Sequence, residues 1–175
     1  NDHIVGIEVI NSNYRYPHDR ELLWDAILAR TMPGRPVWGY ANDDMHRPIV
    51  LGCNWNTMLI SSLDEASLRD AMTQGRFYFS TVTTHPNGQR DPEKTPVIRS
   101  IAHDAAAGRI TIEATVGGEA AAPQSIAWIS NGRVAHRGET LSYGDMDDLG
   151  VYVRAEITGP GGTTFINPYG LSNGE

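Results

Sequence analysis

The sequence predicts an α+β fold, in which an α/β segment is followed by an antiparallel β-sandwich. Two observations carry this. Residues 4–80 alternate short apolar, β-branched runs with helix-like stretches, the order from which α/β layers are built. Beyond residue 95 the apolar period changes to two, with turn dipeptides between short runs, as in a sandwich. Between them, His85-Pro86-Asn87-Gly88 and Asp91-Pro92-Glu93-Lys94-Thr95-Pro96 form a polar, proline-containing stretch. The expected organisation is therefore 1–82 as an α/β domain, 83–94 as a linker and 95–175 as the β-domain.

Each element has a local reason. Ile4–Asn11 is almost continuously apolar, which suits a strand buried on both faces. Asp19 is placed to N-cap a helix running to about Thr31, with Leu22, Leu23, Ala26, Ile27 and Arg30 on one stripe. Met32-Pro33-Gly34 ends it, because proline cannot continue the hydrogen-bond ladder. Val37–Ala41 reads as the next strand and runs directly into Asn42-Asp43-Asp44-Met45-His46. Asn56–Ser61 is another strand. Ser62 and Glu65 fit a capping box that opens a helix to about Gln74, with Leu68, Ala71 and Met72 inward and Gly75 as the stop. Arg76–Ser80 is aromatic and extended.

In the second half, Ile110, Ile112, Ala114 and Val116 alternate with polar residues. Val151, Val153, Ala155 and Ile157 do the same, which places Tyr152, Arg154, Glu156 and Thr158 on a wet face. Asn131-Gly132 sits between Ser125–Ser130 and Arg133–Arg137, where a type I′ hairpin needs two residues that tolerate positive φ. Asp145, Asp147 and Asp148 fall in a connecting loop. Gly159-Pro160-Gly161-Gly162 joins two strand-like runs and precedes no helix, so it is a turn and not a phosphate loop.

Composition narrows the function classes. The net charge of the 175 residues is −7 and neither half is basic, so a broad footprint for nucleic acid or anionic lipid is absent. No apolar run reaches the ~18 residues of a membrane span. A hydrophobic content of 40% and a mean hydropathy of −0.35 fit a soluble globular chain. Cys53 is the one cysteine, which excludes an internal disulfide and a thiolate cluster. Cys53 with His46 lacks a third partner for nucleophilic catalysis, and a buried thiol is the expectation. Trp38, Trp55, Tyr78 and Trp128 are aromatic candidates for a sugar-binding face, although Trp128 alternates with Ile126 as a core residue does. The chain starts Asn1-Asp2-His3 without methionine, so processing, or a piece of a longer protein, is expected.

The densest polar constellation is Asn42–His46. Side chains at the C-terminal end of a strand in a parallel α/β layer reach the loops that build active sites. An Asp-x-His pair there offers a carboxylate and an imidazole to one divalent metal. Asp43 and Asp44 are also plausible caps of the following segment, and the spacing by itself leaves both readings open.

Three pieces in order raise the metal reading: Gly6-Ile7-Glu8-Val9-Ile10-Asn11, then Gly39-Tyr40-Ala41-Asn42-Asp43-Asp44-Met45-His46, then Leu68–Ser80. Together they resemble the last strands and closing helix of the polymerase and histidinol phosphatase (PHP) family, over roughly residues 4–80. The β-rich remainder resembles the accessory domain that follows the barrel in some bacterial members. The resemblance implies a partial PHP-type α/β barrel, its last βα units, and a metal-dependent phosphoesterase acting on a phosphorylated small molecule. It implies divalent metal ions (zinc, manganese or iron), with Asp44 and His46 as ligands and Asp43 as a cap or supporting residue.

The family's other ligands come from an early His-x-His strand, an intermediate Glu and further upstream histidines, and those motifs do not occur in this chain. His3 and His18 lack the spacing; His85, His103 and His136 read as loop or surface residues. Glu8 matches no cluster position and needs a partner or solvent. The expectation is a C-terminal piece that is inactive alone, with the remaining ligands upstream, and strand edges that favour a homo-oligomer. The competing expectation is a non-catalytic module whose β-sandwich binds carbohydrate or protein. Bacterial cytoplasm and export both remain open.

Overall fold

The structure, a computed structural model, describes residues 4–11, 17–84 and 88–171. The strands are β1 (Gly6–Asn11), β2 (Trp38–Asn42), β3 (Asn54–Met58), β4 (Phe77–Val82), β5 (Val97–Asp104), β6 (Arg109–Val116), β7 (Glu119–Ala120), β8 (Ile126–Ser130), β9 (Arg133–Arg137), β10 (Thr140–Ser142), β11 (Tyr152–Gly159), β12 (Gly162–Ile166) and β13 (Tyr169–Gly170). The helices are α1 (Pro17–Thr31) and α2 (Glu65–Gln74). The chain is thus mostly β, with two α-helices among the described residues.

Three layers result. A small antiparallel sheet, ordered β10-β6-β5 with β7 on β6, packs on a larger antiparallel sheet ordered β3-β4-β12-β11-β8-β9 with β13 on β11. Their shared core holds Ile110, Ile112 and Leu141 from one sheet and Trp128, Val153, Ala155, Ile157 and Ile166 from the other, the arrangement of a β-sandwich. A second core lies on the opposite face of the large sheet. There Phe79, Phe165 and Tyr152 meet Trp24 and Leu28 of α1 and Val9, Ile10 and Ala41 of the parallel pair β1-β2. The large sheet is therefore the middle layer, and successive residues of one strand enter different cores.

That arrangement corrects several expectations. Tyr152 and Arg154 are buried and not wet, because α1 covers the face they occupy. On α1 the buried residues are Trp24, Asp25 and Leu28, while Leu22 and Leu23 are exposed. Only Ala71 of α2 is buried; Leu68 and Met72 are each more than a third exposed. The N-cap of α2 is Asp64, whose carboxylate accepts from the Ser67 N–H at 2.8 Å, and Ser62 instead donates to Asp64. Asp19, as a helix cap, has a side chain outside the described residues. β4, which precedes residues 83–94, pairs with β12, which follows them, along Tyr78–Val82.

Other expectations match. Asn131 (φ 51°) and Gly132 (φ 71°) both take positive φ at the β8-β9 hairpin. Gly75 closes α2 in the left-handed conformation, and a Cβ there would lie 2.7 Å from the Trp38 ring. Gly159–Gly162 is the β11-β12 turn.

Candidate functional site

β1 and β2 run parallel, with Gly6 opposite Trp38 and Asn11 opposite Asn42, so their C-terminal ends lie side by side. The outer edge of β2 is closed without a strand. Gly39 N–H donates to Asn167 Oδ1 (2.8 Å), Ala41 N–H donates to Asn56 Oδ1 (3.0 Å), and Asn56 Nδ2 donates back to the Ala41 carbonyl (2.7 Å). The Trp24 indole N–H takes the Val37 carbonyl at 2.8 Å. These side chains satisfy groups that a neighbouring strand would otherwise pair. Among the described residues, β1 has no strand partner besides β2.

Past Asn42 the chain turns sharply. Asp43 is fixed by two backbone donors, Gly52 N–H (2.6 Å) and Asn54 N–H (2.8 Å), which gives it a capping role. Asp44 takes a left-handed φ of 46°, a conformation that Asp tolerates better than most residues. The His46 ring folds back: its Nδ1 lies 2.7 Å from the Asp44 carbonyl and 3.5 Å from Asp44 Oδ1. A carbonyl only accepts, so Nδ1 carries the hydrogen and the neutral ring keeps its lone pair on Nε2. Both side chains are open to solvent, 49% exposed for Asp44 and 81% for His46. The Asp44 carboxylate lies on the Nδ1 side of the ring and Nε2 on its far side. Each is by itself a donor that suits a zinc, manganese or iron ion, and the ring does not aim Nε2 at the carboxylate. No group of three or more His, Cys, Asp or Glu placed to hold a metal occurs among the described residues.

The other candidates separate from this pair. His3 and His85 lie outside the described residues, as does the His18 side chain. His103 is exposed on β5, with Nε2 3.0 Å from the Tyr143 hydroxyl, and His136 is half-buried on β9. Cys53 is fully buried, and burial pushes its thiol above the ordinary value, against a thiolate nucleophile. Trp128 and Tyr78 belong to the sandwich core, so the four aromatics do not form one open face. A cleft of about 610 Å³ opens at the other end of β2, between Trp38, Arg76, His103 and Tyr169. Its polar groups are largely engaged already: Trp38 Nε1 with the Thr73 carbonyl, Arg76 with Asp70, His103 with Tyr143.

Two polar networks escaped the sequence reading. Glu8 is exposed, yet both its oxygens are occupied: Oε1 accepts from Asn42 Nδ2 (2.7 Å) and Oε2 from Asn11 Nδ2 (2.6 Å). In the second, Asp25 of α1 takes the Arg154 guanidinium in a bidentate pair, 2.7 Å on each arm, and also accepts from the Tyr152 hydroxyl at 2.7 Å. Arg154 Nη1 reaches Glu156 at 2.5 Å, and its Cζ lies 5.0 Å over the Trp24 ring. Burial works to lower the guanidinium's pKa, but the Asp25 bond and the Glu156 and Asp25 charges outweigh it and leave the pKa raised. This network fastens α1, and through it the β1-β2 layer, to the large sheet.

The fold and these networks define a mostly β protein with antiparallel sheets and a small parallel α/β layer that presents an Asp-x-His turn. Comparison with protein-family models, with curated proteins and with solved structures finds no match to this chain.

Proposed function

We propose that the chain is the C-terminal part of a PHP-type metal-dependent phosphoesterase, with Asp44 and His46 as two ligands of a divalent metal site. In this reading β1-α1-β2 are the last βα units of the barrel and the sandwich is its accessory domain. The observation that carries the proposal is the exposed Asp44–His46 turn, with Nδ1 of His46 on the Asp44 carbonyl, at the C-terminal end of a parallel strand pair. The edges of that pair support it further. β2 is closed by Asn56 and Asn167, whereas among the described residues β1 has no strand on its other edge, where further strands could add. Exposed Ile4 and Val5 beside β1, Leu22 and Leu23 on α1, and Met45, Ile49 and Leu51 after Asp44 are apolar surface that additional elements would cover.

Bound metal supplies water activation and neutralises charge developing on the phosphoryl oxygens. The chain's own residues hold that centre and orient it: Asp44 contributes an anionic oxygen, and the Asp44 carbonyl fixes the tautomer of His46. With two protein ligands the chain alone is inactive, and the substrate is a phosphorylated small molecule. The test is His46→Ala in the protein that carries this chain with its upstream sequence. Metal content and hydrolysis of a generic phosphoester such as p-nitrophenyl phosphate should both collapse. Unchanged values for both would refute the ligand assignment.

A further inference from the structure

The Glu8 clasp exists because β1 is irregular. In a regular strand, residues three apart point to opposite faces, so Glu8 and Asn11 would diverge. Here Glu8 pairs with Tyr40 but Ile10 pairs with Ala41, so one extra residue, Val9, is inserted. Val9 and Ile10 both turn into the core as a result, at 0% and 5% exposure. Past the insertion Asn11 lies opposite Asn42 and on the face of Glu8, and both amides converge on the one carboxylate. Bulges of this kind re-aim side chains beside functional sites.

The consequence falls on the ligand turn. Asn42 is held by its side chain to Glu8 and by its carbonyl to Asn54 Nδ2 (3.0 Å), and the next residue, Asp43, is held to Gly52 and Asn54. Asp44 then adopts a positive φ of 46°, directly after two residues whose polar groups are tied down by these contacts. Glu8 and Asp43 each have both oxygens committed in that set of restraints, and Glu8 is the one that ties the end of β1 to the end of β2.

We infer that Glu8 is a positioning residue for the Asp44–His46 pair: through Asn42 it fixes the point at which β2 gives way to the ligand turn. The inference rests on the metal-site reading above, and its test separates the two. The intact chain and its Glu8→Ala, Glu8→Gln and His46→Ala variants are titrated with Mn²⁺ alone, and amide exchange at residues 43–46 is followed without metal. Glu8→Ala should weaken Mn²⁺ binding about tenfold, the usual effect of losing a group that orients a ligand. It should also speed exchange at Asp43–His46, with the thermal midpoint nearly unchanged because Glu8 is exposed. Glu8→Gln keeps one acceptor oxygen and should recover part of both effects. Equal loss of affinity in the two variants with unchanged exchange would mean that Glu8 acts only as a charge, and would overturn the inference. So would unchanged exchange and affinity in Glu8→Ala. If His46→Ala leaves Mn²⁺ binding intact, the metal-site reading has failed; exchange at 43–46 still decides whether Glu8 holds the turn.

Discussion

Replacing Asp25 by alanine strands the Arg154 guanidinium in the layer between α1 and the large sheet. The side chains of Arg154 and Asp25 are 2% and 5% exposed, so water cannot replace the lost partner. The substitution removes two charge-assisted bonds of 2.7 Å and the acceptor of the Tyr152 hydroxyl. Breaking a buried pair on one side costs about 3–5 kcal/mol, most of it the penalty of an unpaired charge. Glu156 remains on Nη1, which places the cost toward the lower end. With a urea m-value of about 2 kcal/mol/M, a loss of about 3 kcal/mol moves the unfolding midpoint down by about 1.5 M. Urea unfolding followed by tryptophan fluorescence reads this directly, since Trp24 stacks on the guanidinium. The double variant Asp25→Leu with Arg154→Met removes both fully buried charges, leaving only Glu156, 22% exposed and within reach of water, and should recover most of the loss. A cost below about 1 kcal/mol for Asp25→Ala, the size of an exposed pair, would refute the view that this network fastens the layers.

Two further outcomes follow from the same packing. Asn56→Ala removes the amide that closes β2 and leaves the Ala41 N–H and carbonyl unpaired; stability should fall by about 2 kcal/mol, with faster exchange of the Ala41 amide. Burial, then the Asp25 bond, hold the Tyr152 hydroxyl well above its ordinary value of 10.0, so its contribution is complete below that pH. It fades as pH rises above 10, where the unfolded chain ionises first. Urea midpoints measured from pH 8 upward should therefore decline less steeply in Tyr152→Phe than in the parent chain.

What the sequence made legible was mostly local. The hairpin at Asn131-Gly132 and the stop at Gly75 depend on φ values that few residues adopt, so the residue type reports the conformation. The inward set Ile110, Ile112 and Ala114 was readable because a strand has period two. The same rule misplaced Tyr152 and Arg154, since alternation says which residues share a face and not whether a helix later covers it. Leu22 and Leu23 looked like the inner stripe of α1 by hydropathy alone; the large sheet instead receives Trp24, Asp25 and Leu28, where a carboxylate meets Arg154. The prolines and polar residues of 83–94 report turns and carry no information on β4 pairing with β12 across them. At the site, Asp44-x-His46 was visible as a spacing. The Glu8 clasp was not, because Val9 shifts the register and nothing in Gly-Ile-Glu-Val-Ile-Asn announces a bulge.

In the proposed function, Asp44 and His46 are two ligands of a metal site whose other ligands lie upstream. Titration of the chain with Mn²⁺, followed by paramagnetic broadening of the histidine ring signals, addresses it most directly. The account predicts weak binding that broadens His46 well before His103 or His136 and disappears in Asp44→Ala. Tight, stoichiometric binding by this chain, or broadening that spares His46, would contradict it.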